Sequence, residues 1–299
     1  MNKELAGTIL ALLTAIVSGI AIPANKIFVV STDPVVFTAV RAVIIGSIFL
    51  ALSLVMNKGH KKFTVSWKYL AAIAVVGGSF AFLLFFSGLK LTTSGHAAFL
   101  HKTLPLYVAV LAFILLKEKI TKKYLFAMAL MFLGTIAIYS ATINPAELWM
   151  NPQLGDLMII GATILWAAEN VIARKAMLKG ETNFIVSFAR MFFGGMILFG
   201  VVLITGKLGI LLSLTAGQIV NIGISTVILF TYVLCYYWAL RFINVSKASV
   251  LLLLAPVVSL ILGVTFLGEP APLIQLAGSA VILVGAYMIA GIKSEQRAI

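Results

Sequence analysis

Lys102 and Glu169 are the charged residues that the surrounding sequence explains least. Lys102 lies in the stretch FLHKTLPLYVAVLAFILL and Glu169 in LMIIGATILWAAENVIARKAML, both almost wholly apolar. If each stretch is a helix rising 1.5 Å per residue, Lys102 stands about 12 Å below a start near Ser94, and Glu169 about 20 Å beyond Asp156. A lysine at that depth in hydrocarbon costs about 2.5–3.5 kcal/mol on insertion scales, so it has to face protein or water. Snorkelling to the interface is the alternative, but ~12 Å is more than a lysine stem covers easily. Its natural partner is the carboxylate or phosphate of a bound solute. The adjacent His101 points to a different helix face; it either shares that role and relays protons or packs as a neutral ring. Loss of water penalises the charge of a carboxylate, which makes Glu169 the candidate for coupling to a proton gradient. A structural ion pair with Arg174 or Lys175 is the competing reading. The estimated depths of Lys102 and Glu169 differ by ~8 Å, so water or substrate between them fits better than direct contact.

Other residues fall at spacings that give them roles around such a pair. Phe80, Phe82, Phe85 and Phe86 cluster in one apolar run, Tyr232, Tyr236, Tyr237 and Trp238 in another, with Trp166 near Glu169. Phe82, Trp166, Tyr232 and Tyr236 are expected to line a substrate cavity, whereas Trp67 and Trp149 suit an interfacial belt. Pro105 and Pro256 each delete a helix hydrogen bond inside an apolar run and are read as hinges. Arg41 and Arg190 sit one and a half to two turns from the ends of their runs and are read as anchors or donors to carbonyls on other helices. Glu118 and Glu269 precede the fifth and tenth runs, where negative charge would complement a helix dipole. Ala127/Gly134 and Gly278/Gly285, seven apart in each pair, form small-residue seams for close helix packing.

The elements that position these residues follow from composition. Of 299 residues, 62% are hydrophobic and only 10% charged, against about half and a quarter in a soluble domain. Apolar runs fall at 5–28, 35–56, 67–89, 94–116, 122–141, 154–178, 183–205, 217–240, 246–267 and 272–292. Each is long enough to cross a bilayer, and each is continuously apolar where a barrel strand would alternate. The expected fold is an all-α polytopic membrane protein with ten transmembrane helices and no separate soluble domain. The first run is longer than a signal-peptide core and lacks a cleavage site of small residues, so it reads as a retained helix.

Charge gives the orientation. The 22 Lys and Arg exceed the 9 Asp and Glu by thirteen. With the N-terminus placed in the cytoplasm, sixteen of the 22 fall on the cytoplasmic side, in clusters such as Lys58, Lys61, Lys62 and Lys68, or Lys117, Lys119, Lys122 and Lys123, and at Lys293 and Arg297. Only Lys26, Lys90 and Lys207 fall outside, and Arg41, Lys102 and Arg190 lie within runs. This bias places both termini on the cytoplasmic side of the cell (plasma) membrane and accounts for the basic charge with no nucleic-acid partner. One cysteine, Cys235, rules out an intramolecular disulfide, and His60, His96 and His101 have no metal-ligand spacing. Gly200 to Lys207 only superficially resembles a phosphate loop, because five residues separate the glycines and Leu208 stands where Ser or Thr belongs. No metal, cofactor, ATPase site or nucleophile–base pair is expected, and the chain reads as a non-enzyme.

The two halves repeat. Gly88-Leu89-Lys90 through His96-Ala97-Ala98 to Leu104-Pro105 aligns with Ala239-Leu240-Arg241 through Lys247-Ala248-Ser249 to Ala255-Pro256 at an offset of 151, the difference between 256 and 105. The same offset carries Glu118 onto Glu269 and Gly134 onto Gly285, while Lys26 maps to Arg174 and Arg41 to Arg190 at 148 and 149. Because five is odd, two five-helix copies enter the membrane from opposite sides and form an inverted repeat. The lysines of Lys119 to Lys123, absent from Pro270 to Ile274, agree with that. Residues 1–145 form the first repeat, 146–153 an extracellular linker and 154–299 the second repeat.

Asp33-Pro34 followed by Thr38-Ala39-Val40-Arg41, Leu165-Trp166-Ala167 leading to Arg174-Lys175, and the run from small residues through proline to glutamate in both halves resemble the EamA-type branch of the drug/metabolite transporter superfamily. The likeness covers nearly the whole chain and departs from the usual pattern at His101-Lys102. It implies alternating-access transport of small metabolites, often export, through a central cavity lined by helices 1, 3, 4, 6, 8 and 9. From these residues the expected function is secondary active transport of an amino acid-like or other polar or amphipathic solute, driven by the proton gradient or the solute's own. An organic-cation or multidrug carrier, a membrane-embedded lipid-modifying enzyme and a channel are the alternatives. Small-molecule substrate and lipid are the partners expected.

Overall fold

The structure is a computed structural model that describes residues 2–30, 32–56 and 67–294. Lys58, His60, Lys61, Lys62 and Arg297 lie outside the described residues, as does the side chain of Lys26. Among the described residues the chain is all helical, with ten helices long and apolar enough to cross a membrane. We number them α1 (Lys3–Val30), α2 (Pro34–Met56), α3 (Trp67–Leu91), α4 (Ser94–Leu116), α5 (Lys122–Tyr139), α6 (Leu154–Leu178), α7 (Asn183–Ile204), α8 (Ala216–Phe242), α9 (Val245–Phe266) and α10 (Leu273–Ala290). Short helices over Pro145–Met150 and Leu208–Leu212 interrupt two connections.

The starts follow capping chemistry. Thr93, Thr121 and Thr182 accept hydrogen bonds from the first-turn N–H groups of α4, α5 and α7, and α6 and α8 open on capping boxes, Gln153 with Asp156 and Thr215 with Gln218. Both α4 and α9 end on a residue in the left-handed conformation, Lys117 (φ 56°) and Gly268 (φ 65°). Just beyond them the N–H of Glu118 donates to Ala112 O at 3.2 Å and that of Glu269 to Gly263 O at 3.1 Å, the same turn at an offset of 151.

Both prolines stand where a helix is interrupted. The first segment of α4 stops at His101 and a new one starts at Leu104, with Pro105 second in it. In α9 a 3-10 turn over Leu252–Leu254 precedes the segment in which Pro256 is second. At that place a proline's missing N–H costs little.

Packing joins the first five helices to the second five. α5 lies on α10, α2 on α7, α1 on α8 and α9, and α6 on α3 and α4. Exchanging the two sets of five maps each pairing onto itself or onto another of these. Glycines set the closest approaches: a Cβ on Gly134 would stand 2.5 Å from the carbonyl oxygen of Gly278, and one on Gly278 would stand 2.7 Å from that of Gly134. Large apolar side chains such as Leu54, Phe126 and Tyr287 project from the outside of the bundle, which is the surface that a bilayer would cover.

Both described ends of the chain meet at one end of the bundle, where Lys247 Nζ pairs with Glu4 Oε1 at 2.7 Å and Ser294 N donates to the same oxygen at 3.2 Å. We call this the terminal end and the opposite one the distal end.

Candidate functional site

A cavity of about 140 Å³ lies in the bundle, lined by residues of α1, α2, α3, α4, α6, α7 and α8. Tyr232, Trp166 and His101 bound it near mid-bundle, and Asn25, Leu89 and Ser94 bound it at the distal ends of their helices. Among the described residues, none from the terminal ends contributes. The resemblance to EamA-type carriers implied α9 as a wall; here α2 and α7 take part, and α9 borders only a small neighbouring pocket through Leu252 and Leu253.

The aromatic wall is built by helical spacing on α3. Phe82 and Phe86 stack at 6.3 Å between ring centroids, and Trp166 meets Phe82 edge-on at 5.3 Å and His101 at 5.2 Å. Trp166 Nε1 donates to Gly77 O at 3.1 Å, which fixes the indole against a π-helical turn over Val76–Phe80. His101 Nδ1 is buried with no hydrogen-bond partner.

Two arginines enter the same cavity. Arg41, 1% exposed, donates through Nη1 to Ser225 Oγ at 2.5 Å and Asn25 Oδ1 at 3.3 Å and through Nε to Phe37 O at 3.3 Å. Arg190 lies in a second π-helical turn, Ala189–Phe193. That turn crosses the first so closely that a Cβ on Gly78 would collide with the Arg190 carbonyl oxygen, and one on Gly194 would stand 2.5 Å from Gly78 Cα. Only glycines permit this crossing, and it holds the Arg190 backbone in place. Single π turns inside α-helices are frequent at functional sites.

Glu169 sits behind Arg190 and does not line the cavity. Its Oε2 is 3.7 Å from Arg190 Nε, neither atom has a hydrogen-bond partner, and Oε1 accepts from Tyr237 Oη. Gly77 makes the room: a Cβ there would strike the Glu169 side chain. The competing reading, an ion pair of Glu169 with Arg174 or Lys175, is therefore corrected: the carboxylate's charged neighbour is Arg190, and Arg174 donates to Leu240 O. One turn of helix carries Arg174 past the crossing where Glu169 meets α7.

Of the expected cavity residues, His101, Trp166, Phe82 and Tyr232 line the wall together. Tyr236 is wholly buried, stacked on Tyr232 at 5.8 Å, with its Oη unpartnered. Lys102, 3% exposed, faces the small neighbouring pocket, with Nζ 3.4 Å from Ser18 Oγ. It makes no contact with Glu169. Arg41 and Arg190 were read as anchors or as donors to carbonyls on other helices, and Asn25 and Asn170 were not singled out; all four line the cavity. The signal available in the sequence was the offset of 149 that makes the two arginines equivalent.

The two ends differ. At the terminal end Glu118 does not cap α5, which begins at Lys122. The left-handed turn at Lys117 aims its carboxylate at the start of α9, where it accepts from Val245 N at 3.0 Å, Ser246 N at 3.2 Å and Ser246 Oγ at 2.5 Å. Tyr124 Oη donates to Ser246 O at 3.2 Å beside it. Glu269, its equivalent at the distal end, is exposed, lies before α10 begins, and has no hydrogen-bond or ion-pair partner for its carboxylate among the described residues. Distal contacts run elsewhere: Asp156 accepts from Gln153 N at 2.9 Å and Thr92 Oγ1 at 2.5 Å, and Asp33 pairs with Lys207 at 2.8 Å. Burial alone would raise the Asp33 carboxyl, but the Lys207 ammonium and the N–H groups of Val35 and Val36 outweigh it and hold the group below its ordinary value. The pairing is thus complete at neutral pH and is lost only as pH falls through that lowered value.

A family model described as the EamA-like transporter family matches residues 5–140 and 153–291. The chain is 29% identical to the uncharacterized transporter YyaM of Bacillus subtilis (strain 168), over 81% of this chain and 80% of that one. It is 28% identical to an uncharacterized transporter of Archaeoglobus fulgidus, over 93% and 96%. A solved crystal structure superposes with a TM-score of 0.74 over 95% of this chain and 96% of its own, at 17% identity, a likeness of fold.

Proposed function

Since the chain belongs to the EamA-like transporter family, we propose that it is a secondary active carrier of small metabolites that works by alternating access. Residues 1–145 and 154–299 are then inverted repeats joined by the segment 146–153. Both termini lie on the cytoplasmic side of the cell membrane, and the charge bias of the loops supports that placement. On this orientation the distal end faces outward, and a cavity that reaches toward that end supports the reading of an outward-facing state, the release step of export.

The observation that carries the reading is the asymmetry of the ends. A mid-bundle cavity reaches the distal ends of its helices, while at the terminal end the Glu118 carboxylate ties the α4–α5 turn to α9. A channel would need neither closed end nor interrupted helices. Interruptions of the α-helix at Pro105 and Pro256 fall at equivalent places in the two halves, and broken helices beside a central site suit rocking about it. The size of the cavity sets the cargo: an apolar cavity of 150 Å³ holds a benzene-sized ligand, so about 140 Å³ suits an amino acid-like solute and not a lipid. Glu169, buried beside Arg190, is the proton-coupling group, with the solute's own gradient as the other source of energy.

The test is counterflow in proteoliposomes. Vesicles loaded with unlabelled solute are expected to accumulate labelled solute transiently above equilibrium, with a turnover limit. Flux that rises linearly without saturation, or equilibrates with no overshoot, contradicts a carrier.

A further inference from the structure

We propose that Arg41 and Arg190, one from each half, form a receptor for a carboxylate, so that the cargo is an anionic or zwitterionic carboxylic acid; this rests on the transporter reading above. The two guanidiniums bracket one aromatic pair. Arg41 Cζ lies 5.5 Å from the Phe86 ring centroid and Arg190 Cζ lies 5.6 Å from that of Phe82, and these rings stack on the cavity wall. A cationic cargo would find those faces attended by positive charge, whereas a carboxylate meets planar donors suited to its geometry.

Charge counting gives the sign. Among the described residues the charged groups on or beside the cavity are Arg41, Lys102, Arg190 and Glu169. Glu169 opposes Arg190, while Arg41 and Lys102 have neutral partners: Asn25, Ser225 and the Phe37 carbonyl for one, Ser18 for the other. The hydrogen bonds of Arg41 run through Nε and Nη1. A buried cation without a counter-ion is costly unless a ligand supplies one. Arg41 borders the cavity directly, so the counter-ion that reaches it is the cargo's. Glu169 then acts as the internal competitor: with Oε2 held 3.7 Å from Arg190 Nε and not hydrogen-bonded to it, it neutralises the second arginine without occupying its cavity side.

Three probes that share one apolar tail separate the possibilities: 4-methylpentanoate (anion), leucine (zwitterion) and isoamylamine (cation), added at millimolar concentration to purified protein, with binding read by calorimetry and thermal shift. The two carboxylates are expected to bind and the amine not. Arg41→Gln is expected to weaken carboxylate binding at least about tenfold. Asn25→Asp should do the same while keeping Arg41, because it places a carboxylate on the atom that already accepts from Nη1, so a folding defect in the first variant does not decide the result. Glu169→Gln should strengthen 4-methylpentanoate about tenfold by freeing Arg190. Binding of the amine alone, no binding of either carboxylate, or carboxylate binding indifferent to both Arg41→Gln and Asn25→Asp overturns the proposal. Counterflow of the bound probe keeps the two readings apart: binding that responds to Arg41 without flux contradicts transport and leaves the receptor standing, and amine flux untouched by Arg41→Gln does the reverse.

Discussion

Replacing Glu118 with alanine is expected to shift the carrier about a hundredfold toward the state open at the terminal end. The carboxylate accepts from two backbone N–H groups and one hydroxyl, and Val245 and Ser246 are buried. Stranding a buried donor costs about 1–3 kcal/mol, and loss of a helix cap about 0.5–2 kcal/mol. These overlap, so about 3 kcal/mol is a fair sum, and at 1.4 kcal/mol per decade that is two orders of magnitude in population. Spin labels at Lys119 and Asn244, which border the same small cavity beside Glu118, should report a longer separation in Glu118→Ala. Glu118→Gln keeps one acceptor and should move the population less. Glu269→Ala removes an exposed carboxylate and should leave this state as it is; if the two halves exchange roles, as proposed, its larger effect comes when the distal end closes. An unchanged label distance in Glu118→Ala would mean that the cap is not what holds the terminal end shut.

Glu169→Gln should abolish acceleration of flux by a pH gradient while preserving counterflow. Glutamine retains an acceptor for Tyr237 Oη but cannot exchange a proton and leaves Arg190 without its charge partner. Removing one member of a buried pair costs about 3–5 kcal/mol, so the single variant should melt lower. The double variant Glu169→Gln/Arg190→Gln removes both charges and should recover much of that stability without recovering coupling. Proton-driven flux equal to that of the unsubstituted protein in Glu169→Gln would assign coupling to another group.

The helices were legible because crossing a membrane is a one-dimensional requirement: the bounds of α3, α4 and α6 differ from the apolar runs by at most two residues. Pro105 and Pro256 were legible for a similar reason, since the missing N–H acts within its own helix. The seam at Gly134 and Gly278 also follows from spacing alone. What depth along a helix does not give is its rotation. Lys102 was expected in the main cavity and faces a neighbouring pocket. Arg41 and Arg190 were read as anchors because they lie near helix ends, yet both turn inward. Glu118 shows a second limit. It stands four residues before α5, which suggests service to that helix, but the left-handed turn at Lys117 reverses the chain and presents it to α9, 127 residues away. The crossing of the two π turns at Gly78 and Gly194 depends on tertiary contact, and only the glycines themselves marked it.

Accessibility of one cavity position from the two faces tests alternating access most directly. With Cys235→Ser removing the native thiol, Ala98→Cys places a single thiol on the α4 wall. In sealed, uniformly oriented vesicles a membrane-impermeant maleimide should label it from the distal face without cargo, and from the terminal face once a cargo gradient populates the other state. Labelling confined to one face under every gradient would contradict the carrier mechanism.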